Sequence, residues 1–352
     1  MQSRWFFALI LLFADRSFAV QQTTENRIEA LERQMQSRNY VKPDFQCKKH
    51  SGYVTADYLF LHATEDGLYY ATQVKNNPSE AGDIKNIDFE WDSGFRVGLG
   101  YRMPHDKWEV FANWTHFVTD ASGSLANTTD LVFPEWNTVL FSLPGDLISS
   151  IGASWKLHLN TLDGEMARYY RVTRTVSMRP HFGLRGAWID QSYKTFSNGG
   201  DNGTPVTHDD IQMSCDFTGV GLRAGLDTEW TFWNHWSLFG NAGCSLLYGT
   251  FEVKQKEILT QTVTPTTQYD ISDEYQQNVA TADLTLGIRW DYQFCANKGA
   301  VRLQAGWEFS DYFGQNKFKH FFAGANESTF SFLPNHEDLT TQGLVVSGRF
   351  DY

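Results

Sequence analysis

Ten histidines are scattered along this chain, and one stands in a pattern that chemistry uses. His208-Asp209-Asp210 sets an imidazole beside two carboxylates, the pairing of a general base with an orienting acid. Taken alone, it could serve a protease at a barrel mouth, hold a divalent cation weakly, or be a solvated acidic loop. No spacing around it fits a calcium loop, and the solvated loop is the plainest reading. No GxSxG, Walker A, HExxH or helix-opening GxGxxG occurs, so no catalytic residue, metal ligand or cofactor site is assigned and the chain is read as a non-enzyme. Cys47, Cys215, Cys244 and Cys295 show no CxxC spacing, which argues against zinc. A disulfide involving Cys47 or Cys295, within or between chains, is compatible with export, and free thiols are equally so.

The charged residues that do form a pattern are Asp57, Arg96, Arg102, His181, Arg185, Arg223, Asp227, Glu229, Asp283, Arg289, Asp291, Arg302 and Glu308. Each sits in a segment that alternates apolar and polar residues, on the side opposite the apolar one. In Ala280–Phe294, Leu284, Leu286, Ile288, Trp290 and Tyr292 share one face, and Asp283, Thr285, Arg289 and Asp291 the other. Val220–Trp230, Phe95–Met103, Met178–Trp188, Val301–Phe309 and Leu344–Tyr352 repeat the pattern. A period of two is a strand, not a helix. Strands this long exceed the five or six residues of an ordinary soluble sandwich. Met178 to Trp188 at about 3.3 Å per residue and a tilt of about 40° stands about 25 Å tall, the height of an outer-membrane barrel's apolar band. The charged face then lines the lumen. Its signs nearly cancel, so it lines a wet pore or ties it shut through ion pairs. His158 and His181 are placed inward as hydrogen-bonding groups, and Gly98, Gly100, Gly183, Gly221, Gly225, Gly287 and Gly306 leave space or allow curvature.

The pattern predicts an all-β transmembrane antiparallel barrel. Ten strands are expected near 52–75, 86–103, 107–119, 150–171, 175–192, 212–231, 235–255, 274–294, 300–313 and 339–352. Apolar pieces at 131–141 and 318–332 would raise the count to twelve or fourteen. Within 150–171 the apolar phase slips from Trp155, Leu157 and Leu159 to Leu162 and Met166, which predicts a bulge near 160–162. Short turns at 103–107, 172–175, 232–235 and 295–299 alternate with long polar loops at about 75–88, 120–148, 193–212, 256–273 and 314–338, the asymmetry of such barrels. Tyr101, Trp108, Trp230, Trp233, Trp236, Trp290 and Tyr292 read as one aromatic girdle, and Trp91, Trp155 and Trp188 as the other.

Composition agrees. The 352 residues carry 29 Lys and Arg against 41 Asp and Glu, a net charge of −12, with 15% aromatics. An acidic chain without a basic face is not a nucleic-acid binder. Residues 1–19 read as a secretory signal: Arg4, the apolar run Trp5–Ala14, then Ser17-Phe18-Ala19. Its loss leaves 27 basic and 40 acidic residues, a net of −13. Residues 20–50 are read as a periplasmic segment with a short helix at about 24–38, where Ile28, Leu31 and Met35 form one stripe. Residues 51–352 are the barrel. The sequence closes on Leu344, Val346, Gly348, Phe350 and Tyr352, and Phe350 with Tyr352 resembles the terminal signal read by the barrel-assembly machinery.

Met178–Gln191 (MRPHFGLRGAWIDQ) and Gly52–Ala71 resemble the major-outer-membrane-protein-like family of chlamydia-related bacteria and the related Legionella outer-membrane proteins. Trp155–Tyr170 and Trp236–Phe251 resemble them too. The resemblance implies an abundant porin-like protein of the Gram-negative outer membrane and a homo-oligomer such as a trimer, with the lipid bilayer and small polar solutes as its other partners. Two functions remain in view: passive diffusion of small polar solutes and ions, or a structural or adhesive barrel whose long loops bind host or envelope partners. A barrel enzyme is the third and least supported class. Strand number bears on the choice, since eight-stranded barrels are filled by side chains and sixteen-stranded ones are open.

Overall fold

The computed structural model describes residues 51–74, 82–103, 108–126, 131–136, 147–200, 207–261, 264–294, 299–323, 330–334 and 336–352. The segments expected as a signal sequence and as a helix at 24–38, together with Cys47 and Cys295, lie outside them. No helix occurs among the described residues.

Ten strands make one closed wall: β1 Ser51–Glu65, β2 Trp91–Arg102, β3 Trp108–Ala126, β4 Leu147–Arg168, β5 Val176–Gly200, β6 Thr207–Trp233, β7 Trp236–Gln261, β8 Thr264–Gln293, β9 Ala300–Tyr312 and β10 Leu339–Asp351. Each pairs antiparallel with the next. β10 returns to β1 in an unbroken ladder from Tyr53↔Asp351 to Glu65↔Leu339. The ring leaves no free edge, the condition for a sheet to span hydrocarbon. The extra apolar pieces do not enter it. Leu131–Pro134 joins Tyr69–Val74 and Gly82–Asn86 in a three-stranded sheet, and Lys319–Ala323 pairs with Phe330–Pro334. The segment expected as one strand over 52–75 is therefore two, broken after Glu65.

Two expectations about polar sequence are corrected. Residues 193–200, 207–212, 256–261 and 264–273 are strand rather than loop, with Phe196 opposite Asp210 and Lys256 opposite Asp270. His208-Asp209-Asp210 accordingly lies inside β6, not in a loop. The bulge near 160–162 is absent: β4 runs in continuous register against β3 from Arg168 through Asn160 to Ser150. What changes there is polarity, not phase. Below Asn160 the outward residues are Leu162 and Met166, both exposed, and the inward ones are Asp163 and Glu165, both buried. Above it, His158 and Lys156 point outward and exposed, while Trp155, Leu157 and Leu159 are buried inside. Trp155 therefore belongs to the interior and not to a girdle, and His158 faces out rather than in. The same inversion crosses the neighbouring strands. Leu222 and Val220 face out below Asp216, and Ile211, Met213 and Cys215 face in beside it; on β7, outward Leu246 and Tyr248 give way to Glu252 and Lys254.

The wall thus has two storeys. Towards the short turns it is apolar outside and charged inside, as a bilayer demands. Towards the long connections it is polar outside and apolar inside, as water demands. Trp91, Trp114, Trp188, Tyr248 and Trp307 stand exposed on the outer face, and Tyr101, Trp230, Trp233, Trp236 and Tyr292 do so beside the short turns.

Candidate functional site

Among the described residues, the lower lumen is the one large assembly of titratable side chains that the fold builds. Inward positions on alternate residues of all ten strands converge, and the charged residues singled out from the sequence all face it. Arg185 of β5 grips Asp163 of β4 with two bonds, 2.7 and 2.9 Å, and reaches Asp283 of β8 at 2.9 Å. Arg223 of β6 bonds Asp283 as well and Glu165 at 3.2 Å. His181 lies 3.3 Å from Glu165 and 3.6 Å from Asp227. Across the lumen, Arg96 of β2 holds Glu308 of β9 at 2.7 and 3.0 Å and approaches Asp57 at 3.6 Å. Nearer the short turns, Arg302 bonds Asp291 at 2.7 Å, Arg289 bonds Glu229 at 3.0 Å, and Arg102 bonds Glu109 at 3.3 Å. Paired guanidinium–carboxylate forks are the strongest hydrogen bonds available to charged side chains, and they fix geometry.

Several members escaped the sequence reading. Arg179 bonds Glu109 at 2.9 Å and Asp227 at 2.6 Å. Arg349 pairs with Asp351 at 2.8 Å and stacks 3.4 Å over the Tyr53 ring, whose hydroxyl donates to Glu109 at 2.6 Å. The signal for Glu109 was its place before outward Val110. Asp163 and Glu165 were hidden by the supposed bulge. In all, eight arginines face ten carboxylates in this network.

Glycine does not leave the space expected of it. A Cβ on Gly100 would fall 1.9 Å from the Tyr53 ring, and one on Gly225 would fall 2.5 Å from His181 Nε2. The volume that these glycines release is occupied by a neighbour's ring. A groove of about 610 Å³ does exist, but on the lipid face, between outward Leu162, Leu184, Trp188, Val220 and Tyr248.

The upper lumen is a packed apolar core. Leu59, Trp155, Leu157, Ile189, Phe217, Leu247 and Phe251 have no exposed surface. The connection after β9 folds down over them. Gln315–Phe318 is buried; Asn316 Nδ2 donates to the Asp66 carbonyl at 2.7 Å, and the Gly314 amide, at φ +64°, donates to Asp338 at 2.6 Å. Lys317 Nζ meets His336 Nδ1 at 2.9 Å, and burial pushes the ammonium's pKa down. Cys215 is a buried free thiol against Gln315, and Cys244 is free and exposed. His208 faces outward against Asp210 at 2.8 Å, away from buried Asp209, so the three do not form one site. Phe350 and Tyr352 stand exposed on the outer face. Among the described residues no group of three or more His, Cys, Asp or Glu is placed to hold a metal.

Comparisons with known proteins accord with an outer-membrane wall. Among solved structures, the outer membrane protease OmpT from Escherichia coli is 10% identical, with 86% of this chain and 96% of that one covered at a TM-score of 0.37. A major outer membrane protein from Thermus thermophilus is 10% identical over 86% and 99%, at 0.28, and a Pseudomonas aeruginosa FadL homologue 9% identical over 87% and 90%, at 0.27. These likenesses are too distant to carry an argument about function. No curated protein matches the sequence. The model of the Legionella pneumophila major outer membrane protein precursor family matches residues 44–352, the whole of the described wall, and the chain belongs to that outer-membrane family.

Proposed function

We propose that this protein is an outer-membrane barrel with a packed lumen, whose work is structural or adhesive and is done by the surface it presents beyond the bilayer. The carrying observation is the upper storey. Leu59, Leu157, Phe217 and Phe251 face the lumen with no exposed surface, and a residue lining a water-filled channel would be wetted. Ten strands also lie close to the eight at which side chains fill a barrel. In this reading the ion pairs below are an interior frame and no reaction is catalysed.

Passive diffusion of small polar solutes is the second reading. It is favoured by the lower storey, where the Arg96 and Asp227 side chains each retain 24% exposure and water reaches the charges. Conduction would then require Gln315–Phe318 to lift away. On either reading the chain is exported by a cleaved signal, handed to the assembly machinery through Phe350 and Tyr352, and able to associate with further copies. The wider kinship with chlamydial proteins rests on the Met178–Gln191 motif.

Planar-bilayer recording on refolded full-length protein separates the two. The packed reading expects no steady conductance from protein that shows heat-modifiable gel mobility. Long-lived open levels in every insertion would overturn it. If those appeared, the near balance of lumen charge predicts weak selectivity, with a small cation preference from the acidic outer surface that fades towards about 1 M salt.

A further inference from the structure

Above the apolar band, β6, β7 and β8 enclose a second, separate group of polar side chains. Asp209 is 1% exposed, and neither of its carboxylate oxygens meets a hydrogen-bond donor. Within hydrogen-bonding reach is another carboxyl, Glu257, itself fully buried. Gln255, two residues before Glu257 on the same inward face, donates its amide nitrogen to the Tyr269 hydroxyl at 2.8 Å, and its side-chain carbonyl is buried without a partner. Tyr269 stands opposite Glu257 in the β7–β8 ladder. The charges that act on Asp209 are Glu257 and Asp210, both negative.

Two carboxyls in one dry site cannot both ionise unaided. Burial and the Glu257 carboxyl push the Asp209 pKa up to about 8, so Asp209 keeps its proton at neutral pH. A divalent cation would cancel both charges, where the proton cancels only one. The available donors are all oxygen: two carboxylates, an amide carbonyl and a phenol. Oxygen donors suit a hard ion, and an irregular set drawn from three strands suits the flexible shell of Ca²⁺ better than the octahedron of Mg²⁺.

We propose that Asp209, Glu257 and the Gln255 carbonyl form a Ca²⁺ site between β6, β7 and β8 on the loop side of the bilayer. The ion displaces the Asp209 proton: the singly protonated pair plus Ca²⁺ gives the neutral calcium pair plus H⁺. This site stands apart from the lumen network, so it holds whether or not the lower lumen conducts.

The test is calorimetric titration of CaCl₂ into full-length refolded protein, at pH 7 in two buffers of different ionisation enthalpy. Binding should release close to one proton per ion at pH 7 and fewer as pH rises above about 8, where Asp209 loses its proton. Asp209→Asn and Glu257→Gln should each weaken binding at least tenfold, and MgCl₂ should bind less tightly. Terbium should also bind and luminesce through Tyr269. Binding at exposed carboxylates instead would survive both substitutions. Binding without proton release, binding that survives in both variants, or no binding at millimolar Ca²⁺ would overturn the proposal. If a variant fails to fold, the proton count on the unaltered chain still decides.

Discussion

The two storeys of this barrel share strands that cross from one to the other without a change of side-chain parity, as β4 does, yet their polarities are opposite. On β4, Leu162 is exposed and Asp163 buried, whereas a turn of the pleat higher His158 is exposed and Leu157 buried. Strand geometry therefore fixes only which residues share a face. The medium outside decides which face is the core. Where lipid surrounds the wall, apolar side chains gain nothing by turning inward, so the interior is free for charges that need one another. Where water surrounds it, the hydrophobic effect returns the apolar face to the inside.

The largest expected effects come from breaking either interior. Arg185→Leu would leave Asp163 without its two-bond partner and Asp283 with Arg223 alone, and losing one partner of a buried ion pair costs about 3–5 kcal/mol. Phe217→Ala in the upper core should cost a similar amount, about 3–5 kcal/mol, through the cavity it opens against Phe251, its ring neighbour at 4.7 Å. Equilibrium urea unfolding of refolded protein measures both. If Phe217→Ala cost little, the upper storey would not be a packed core.

A smaller effect locates the boundary between the storeys. Leu222→Arg places a charge on the lipid face of β6, at about 2–4 kcal/mol near the midplane. Leu284→Arg on β8 should do the same, while Thr285→Arg, whose side chain turns inward towards Glu308, should be mild. Gln212→Arg, ten residues above Leu222 on the same outward face, should lie within about 0.5 kcal/mol of the unaltered chain. Heat-modifiable mobility across such an arginine series along β6 should recover abruptly near Asp216. Equal penalties at 212 and 222 would mean that the apolar band extends further than the side chains indicate.

The smallest effect is one of pH. Asp209 has a folded pKa raised to about 8 by burial and by Glu257. A carboxyl raised on folding binds its proton more tightly in the native state. Its contribution is therefore full below its unfolded value near pH 4 and is lost as pH rises to about 8. In chelator, the melting temperature should fall by a few degrees across that window, and Asp209→Asn should flatten the fall. Added Ca²⁺ should flatten it too if the ion occupies the pair.

The lower storey was legible in the sequence and the upper one was not. Alternation at Ala280–Phe294 and Val220–Trp230 located strands, faces and inward charges, because a lipid-exposed strand is apolar on one side without interruption. The upper strands alternate too, with irregularities near Asn198 and Glu257, but their outward residues, such as Lys194, Asp210 and Lys256, match loop composition, so they read as loops. Asp163 was lost for a related reason: a change of solvent along β4 resembles a change of phase. Ion-pair partners were beyond reach, since the pairing of Arg96 with Glu308 spans 212 residues and depends on how strands tilt around the ring.

Nine of the ten ladders join strands that follow one another in the chain, and only β1 with β10 joins its two ends. Assembly can therefore proceed by local hairpins, with the entropy of one long closure deferred to the last step. Until that seam zips, two strand edges of thirteen and fifteen residues remain open to any other chain. Substitutions at the seam, among Tyr58, Val346 and their neighbours, should slow the final phase of folding and favour aggregation, while leaving earlier hairpins to form at their normal rate.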